Sequence, residues 1–238
     1  MKVAIIGYGK MGKAIEQILL QRGHVVVLII DQHNATDLQS EALKLADVAI
    51  EFTTPHTAIQ NMQACFAAGV PVVVGTTGWL QHRTDMEAAC MAAGSALLHT
   101  TNFSLGVNIF FEINRQLARL MAQHTEYSVK VTETHHTAKL DAPSGTAISI
   151  AEQILQEQPT LSGWVNSATA DKGQLPIESL RIDPAPGTHT VTYRSSIDDI
   201  EITHTAHSRQ GFALGAVLAA EFLAGKQGIF SMRQVLGL

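Results

Sequence analysis

The run Val3-Ala-Ile-Ile6 passes directly into Gly7-Tyr-Gly9-Lys-Met-Gly12 and then into Lys13-Ala-Ile-Glu-Gln-Ile-Leu-Leu20. A short apolar run bounded by glycine specifies a buried strand, and the spacing after it specifies a helix. In such a turn the first glycine permits the sharp bend, the second lets backbone approach a pyrophosphate, and the third lets helix pack close to strand. Alone, the motif is weak. Its context strengthens it: Val25-Val-Val-Leu-Ile-Ile30 reads as a second buried strand ending in Asp31, about twenty residues beyond the turn, where an acid can accept both ribose hydroxyls. The competing reading, glycines that merely close a turn and an Asp31 that caps a loop, must explain the strand, the spacing and the acid separately.

The alternation continues through Val48-Ala-Ile-Glu-Phe52, a helix to about Ala68, Val70-Pro-Val-Val-Val74, a helix over Leu80 to Ala93, and Ala96-Leu-Leu-His-Thr100. Short apolar strands separated by helices predict a parallel sheet. A doubly wound sheet places ligands at its carboxyl edges, where Phe52-Thr53-Thr54-Pro55 and Gly75-Thr76-Thr77-Gly78 fall. The nicotinamide end is expected there, a plain loop being the alternative for either turn. The expected cofactor-binding residues are Gly7, Tyr8, Gly9, Lys10, Met11, Gly12, Asp31, Phe52, Thr53, Gly75, Thr76 and Thr77, joined by Asn102 and Phe103 in the segment leaving the domain. Gln32, not an arginine, follows Asp31, and a carboxylate facing the 2′ position repels the extra phosphate of NADP, so NADH is the expected cofactor. Lys10 and Lys13 soften that repulsion and leave NADPH open as a second cofactor.

After a helix from about Val107 to Gln123 the pattern becomes β-rich, with alternation in Tyr127–Glu133, Thr188–Tyr193 and Ile200–Ala206. Leu161 to Leu180, with Gly163 and Gly173 and no strong period, reads as a surface excursion. Phe212 to Ala224 is apolar enough to pack back on the first domain. The expected fold is α/β: a Rossmann-type doubly wound parallel sheet plus a second α+β domain with an open mixed sheet. Residues 1–106 and 209–238 are expected to bind the dinucleotide, and residues 107–208 to bind substrate, with alternating strands that could each present one face to a core or a subunit neighbour.

Within the second domain, Glu133-Thr-His135-His136-Thr-Ala-Lys139-Leu-Asp141-Ala-Pro143-Ser144-Gly145-Thr146-Ala147 gathers a proton donor, cations and an anion cradle. Histidine titrates nearest neutrality, Lys139 adds a compact positive charge, and a helix start at Ser144-Gly145-Thr146 offers backbone N–H groups. Adjacent strand residues point to opposite faces, so His135 and His136 cannot readily chelate one ion, and no metal is expected. Cys65 and Cys90 lie in alanine-rich helical stretches without a neighbouring base and read as buried free thiols. With 238 residues, 46% hydrophobic, and a formal charge of −5 from scattered residues, the chain can bury a large core and shows no footprint for nucleic acid or an anionic membrane. The apolar start is too short for a signal peptide, and a cytoplasmic location is expected.

The stretch Glu133 to Ala147 resembles the signature of the 4-hydroxy-tetrahydrodipicolinate (dihydrodipicolinate) reductase family. Gly-x-Gly-x-Met-Gly12, Gly75-Thr-Thr-Gly78, Asn102-Phe-Ser-Leu-Gly-Val-Asn108, Gly187-Thr-His-Thr-Val191 and Glu201-Ile-Thr-His-x-Ala-x-Ser-Arg209 resemble family segments in the same order over nearly the full length. The chain departs from many relatives in having one residue fewer in the glycine turn, and in having Arg181-Ile182-Asp183 where they have Arg-x-Gly. The resemblance implies hydride transfer from NAD(P)H to a cyclic imine dicarboxylate in lysine and diaminopimelate biosynthesis. It makes His135 the proton donor and Lys139 the residue that polarises substrate. His136 and the Ser144, Gly145 and Thr146 amides become carboxylate anchors, with Thr77 and Arg209 near the ring or its carboxylates. It also implies a homotetramer formed through the second-domain sheets, and closure about Asn102–Gly106 and Ser208–Gly211. Two other classes are weighed against this: an NAD sensor has no need for an acid beside an ammonium, and a semialdehyde dehydrogenase needs a cysteine nucleophile.

Overall fold

The structure, a computed structural model, describes residues 1–208 and 210–238. In chain order the elements run β1 (Lys2–Ile6), α1 (Lys10–Gln21), β2 (Val25–Ile30), α2 (Glu41–Lys44), β3 (Val48–Glu51), α3 (Pro55–Ala67), β4 (Val72–Val74), α4 (Arg83–Ala92), β5 (Ala96–His99) and α5 (Leu105–Met121). They continue with β6 (Ser128–His135), α6 (Gly145–Glu157), β7 (Gly163–Asn166), β8 (Gln174–Arg181), β9 (Thr188–Arg194), β10 (Asp199–Thr205), α7 (Gln210–Leu223), β11 (Gly228–Phe230) and α8 (Met232–Leu236). The chain divides into two compact units, Met1–Leu105 with Gln210–Leu238, and Gly106–Arg209. No helix among the described residues is long and apolar enough to cross a membrane.

In the first unit the strand order is β11-β5-β4-β3-β1-β2, every pair parallel. The side-chain period of two divides each strand between two layers. Ala4 and Ile6 face Met62, Phe66, Met86 and Trp79, while Val3 and Ile5 face Ile15, Leu19, Ala213, Val217 and Ala220. The layer containing α7 is rich in alanine, which permits close approach to the sheet. β2 is less buried than its apolar sequence predicts: it lies at the sheet edge, and Val25 is 58% exposed. The helix predicted over Leu80–Ala93 is a 3₁₀ turn, Leu80–His82, running into α4. Strand order reverses about β1, which leaves a crevice at the carboxyl ends of β1 and β3, the ligand position of doubly wound sheets.

The second unit holds a mixed sheet, β10-β9-β6-β8-β7, in which β6 pairs antiparallel with β9 and parallel with β8. Its apolar face, Val129, Val131, Leu175, Ile177, Val191 and Tyr193, packs with Phe110 and Ala118 of α5 and Ala147, Ile150 and Ile154 of α6. Buried Asn114 of α5 donates to the carbonyl of Ile150 and to Gln153 Oε1, fixing one helix on the other. The segment Leu161–Leu180 is not a surface excursion. It contributes β7 and β8, and β8 lies inside the sheet beside β6. Pro176 and Gly173 obscure its alternation, yet Leu175 and Ile177 are fully buried on the covered face.

Candidate active site

The first unit contains a cleft of about 500 Å³ at that crevice, lined by Gly7, Tyr8 and Gly9 after β1, by Asp31, Gln32 and His33 after β2, and by Phe52, Thr53, Thr54, Thr57 and Asn61 around the start of α3. Gly7 has φ +98°, and a Cβ there would meet the Phe52 carbonyl oxygen at 2.0 Å, so no other residue fits this bend. A Cβ at Gly9 meets nothing within 4 Å, which leaves room for a ligand against the backbone. Gly12 sits where a Cβ would lie 2.2 Å from the Gly7 carbonyl oxygen, the close helix approach that the third glycine allows. The Asp31 carboxylate accepts from the His33 amide at 2.7 Å, and the Asp31 amide donates to Asn34 Oδ1 at 2.8 Å.

Of the expected cofactor residues, Gly7, Tyr8, Gly9, Asp31, Phe52 and Thr53 line the cleft; Lys10, Met11, Gly12, Gly75, Thr76, Thr77, Asn102 and Phe103 do not. Several of these support it from behind. The Thr53 amide donates to Thr76 Oγ1 at 2.7 Å, Gly75 leaves space that the Phe52 ring fills, and the Phe52 and Phe103 rings meet tilted at 5.6 Å. Thr77 is exposed on the turn. Glu51, buried at the end of β3, accepts from the Thr53 hydroxyl and from Asn61 Nδ2 at 3.2 Å; burial pushes its carboxyl up in spite of these bonds. Asn61 and Thr57 were not expected here; Thr57 follows Thr54 and Thr53 by three and four residues, and Asn61 lies one turn further along α3 on the same face, which is the signal that marks them.

In the second unit, β6 alternates Val129, Val131, Glu133 and His135 onto one face, so the face that builds the core becomes polar at its carboxyl end. His135 Nδ1 lies 3.0 Å from Glu133 Oε2. Glu133 Oε1 accepts from the Ser144 amide at 3.0 Å and contacts Arg181 Nη2 at 3.2 Å. Burial alone would raise the Glu133 carboxyl, but its contacts with His135, Ser144 and Ser179 outweigh burial and hold it well below the usual carboxylate range. His189, paired with Glu133 in the β6–β9 register, is buried with its ring 5.2 Å from that of His135 and its Nε2 3.2 Å from Ser144 Oγ. Burial, then the charge of His135, lowers His189 to about 4, so it is neutral at neutral pH.

The ligand atoms of Glu133, His135 and His189 lie within 4.8 Å of one another, a spacing that a divalent ion can also use. From sequence, neither the adjacent pair His135–His136 nor a third residue at suitable spacing, His204 and His207 included, offers such a set. His189 enters by the cross-strand register, with Thr190, Val191, Thr192 and Tyr193 continuing its alternation as the available signal. Arg181 against the same carboxylate favours a proton over a second positive ion.

Lys139 is held by both oxygens of Asp141, at 2.7 and 2.8 Å, and its backbone amide donates to the His136 carbonyl. His136 is half-buried just past the end of β6. α6 starts at Gly145, capped by Ser144, whose hydroxyl accepts from the Ala147 amide at 3.2 Å. The expected three-amide cradle is therefore altered: the Ser144 amide is committed to Glu133, while Gly145 is exposed and Thr146 half-buried at the helix start. Arg209, expected at the substrate carboxylates, lies outside the described residues. The 181–187 segment, given no role from sequence, ties down the end of β6: Arg181 reaches Glu133 and the Asp141 carbonyl, and the Ile182 amide donates to the His135 carbonyl at 2.8 Å. Asp183, where many relatives have glycine, accepts from the Thr137 amide and hydroxyl. Cys65 and Cys90 are buried, and burial raises both thiols, Cys90 to about 11, so neither is a nucleophile.

Comparison with known proteins covers both units. Residues 1–103 match the family model described as dihydrodipicolinate reductase, N-terminus, and residues 106–236 match dihydrodipicolinate reductase, C-terminus. A 4-hydroxy-tetrahydrodipicolinate reductase of Christiangramia forsetii is 50% identical over 240 residues, spanning 99% of this chain and 98% of the relative. One of Methanosarcina mazei is 36% identical over 244 residues, spanning 99% and 89%. The dipicolinate-bound dihydrodipicolinate reductase of Paenisporosarcina sp. TG-14 superposes with a TM-score of 0.77 at 24% identity, over 97% of each chain. With both halves matched in order and half its residues shared with a full-length relative, the chain belongs to the dihydrodipicolinate reductase family of NAD(P)H-dependent enzymes.

Proposed function

We propose that this enzyme reduces a tetrahydrodipicolinate-type cyclic imine dicarboxylate with hydride from NAD(P)H in lysine and diaminopimelate biosynthesis, with His135 as proton donor and Lys139 polarising the substrate. The observation that carries the residue assignment is the Glu133–His135 contact at 3.0 Å on a polar sheet end that also holds Lys139 and the start of α6. Hydride addition to a conjugated imine leaves an enamine that must be protonated at carbon, and a histidine backed by a carboxylate can supply that proton. Lys139 is a compact point charge that one substrate carboxylate attracts in exchange for Asp141; His136, Gly145 and Thr146 are the remaining anchors, with Thr77 and Arg209 assigned on family resemblance alone. The nucleotide, when bound, supplies the hydride. Gly7, Tyr8, Gly9, Asp31, Phe52 and Thr53 hold it in the first-unit cleft, with Lys10, Met11, Gly12, Gly75, Thr76, Thr77, Asn102 and Phe103 shaping or flanking the turn. Asp31 followed by Gln32 favours NADH over NADPH.

The deciding experiment follows NADH absorbance on mixing the enzyme with the fresh product of dihydrodipicolinate synthase. His135→Gln and Lys139→Gln are expected to lose about two orders of magnitude or more in turnover while NADH still binds; near-normal turnover in both removes these roles. We further propose a homotetramer formed through the open face of the second-unit sheet, where Thr132, Thr190 and Thr203 lie side by side across three strands and offer a polar surface. Sedimentation equilibrium tests it, and a monomer at micromolar concentration excludes it.

A further inference from the structure

Glu133 is fully buried, and each of its oxygens has a separate task. Oε1 is occupied by two donors on different elements, the Ser144 amide at the start of α6 and Arg181 Nη2 on β8. Oε2 is left facing His135 Nδ1 at 3.0 Å, an ion-pair distance off hydrogen-bond alignment, and neither of these two buried atoms has a hydrogen-bond partner. Every other ionisable group around the pair leaves that pairing in place. Arg181 is turned to Oε1 and to the Asp141 carbonyl, and Lys139 is turned to the Asp141 carboxylate. His136 lies past the strand end. On β9, His189 Nε2 stands 3.9 Å from Oε2 but is committed to Ser144 Oγ at 3.2 Å, and on β10 His204 pairs with His189 in register.

We propose that Glu133 is the positioning residue for His135: it holds the Nδ1–H, so that Nε2 is the nitrogen that delivers the proton, and Ser144 with Arg181 fixes which carboxylate oxygen does this. The proposal rests on the reading of His135 as proton donor. In the charged donor state both ring nitrogens carry protons, with the Nδ1–H on Glu133 and the Nε2–H directed outward. When Nε2 gives its proton to substrate carbon, the electron pair of the N–H bond stays on the ring, and the product is the neutral Nδ1–H tautomer still held by the carboxylate.

Glu133→Gln is the informative change, because the two donors on Oε1 select the amide oxygen for that position. The amide NH₂ then faces His135 Nδ1 and makes it an acceptor. The neutral ring in the variant is therefore Nε2–H, and the charged donor state loses its counter-charge.

The experiment uses full-length enzyme labelled with ¹⁵N-histidine, with the His135 signals assigned by their loss in His135→Gln. Wild-type His135, when neutral, is expected as the Nδ1–H tautomer and the Glu133→Gln protein as Nε2–H. Turnover in Glu133→Gln should fall about 100-fold or more with KM for the dicarboxylate within about threefold. Nε2–H in the wild type, or Glu133→Gln turnover within about threefold of wild type, overturns the proposal. Should Glu133→Gln not fold, the wild-type spectrum alone decides. Near-normal turnover in His135→Gln removes the proton-donor reading instead, and leaves the tautomer result to judge the Glu133–His135 pairing independently.

Discussion

A Cβ placed on Gly187 would lie 3.0 Å from His135 Nε2, so this glycine keeps open the space beside the ring nitrogen opposite the one that faces Glu133. Its φ of +156° is a second reason for glycine, since other residues rarely adopt it. Gly187→Ala is expected to lower turnover about tenfold or more and to cost about 1–3 kcal/mol of stability, with NADH affinity unchanged. Unaltered kcat in a folded Gly187→Ala protein, monitored by circular dichroism, rejects the idea that this space serves the proton transfer.

The nucleotide preference turns on Asp31, which lines the first-unit cleft at the end of β2. Removing its charge takes away repulsion towards a 2′-phosphate and also removes an acceptor for the ribose hydroxyls. Asp31→Ser should reduce the ratio of kcat/KM for NADH over NADPH by about tenfold or more. A ratio unchanged by the substitution would show that another group discriminates.

Much of the first unit is legible from sequence because its strands are buried on both faces and read as unbroken apolar runs: Val3–Ile6, Val48–Ile50 and Val72–Val74 allow few alternatives. The second unit is harder. β8 carries Pro176 and follows Gly173, so its covered positions, Leu175 and Ile177, are diluted by turn-forming residues. At the candidate site, His135 and Lys139 stand out because they lie in one short stretch. Glu133 is in the same stretch but shows no role until Ser144 and Arg181 converge on it. His189 and Arg181, more than forty residues further on, meet it only through strand register, which a single chain does not encode locally. The committed Ser144 amide has the same origin: a helix start is readable, and the distant carboxylate that fills it is not.

Stability should carry the signature of His189. Its unfolded value is near the ordinary histidine value of about 6.5, and burial lowers the folded value to about 4. Between these values the unfolded chain binds the extra proton, so unfolding free energy rises with pH: the contribution is full above about pH 6.5 and is lost as pH falls towards 4. The size is on the order of 3 kcal/mol. Glu133, depressed in the folded state, adds a loss at lower pH, beginning below the unfolded carboxylate value of about 4.3. His189→Gln should be less stable at pH 7 yet show a flatter urea midpoint between pH 4 and 6.5. Parallel pH profiles for the two proteins would assign the slope to other groups.

Lys139 is not free to meet a substrate carboxylate without leaving Asp141, which grips it through both oxygens and whose own carboxyl is lowered chiefly by that ammonium. Asp141 is largely exposed, with 59% of its side chain accessible, so the pair is screened and weak enough to exchange one carboxylate for another. The internal carboxylate thus competes with the external one for the same cation. Asp141→Asn should lower KM for the dicarboxylate about two- to fivefold, with kcat little changed, because the variant removes a competitor without touching the proton donor. The same substitution in a Lys139→Gln background should have no such effect. A KM that rises in Asp141→Asn would mean that the aspartate instead steers Lys139 towards substrate, and steady-state kinetics on the single and double variants separates the two cases.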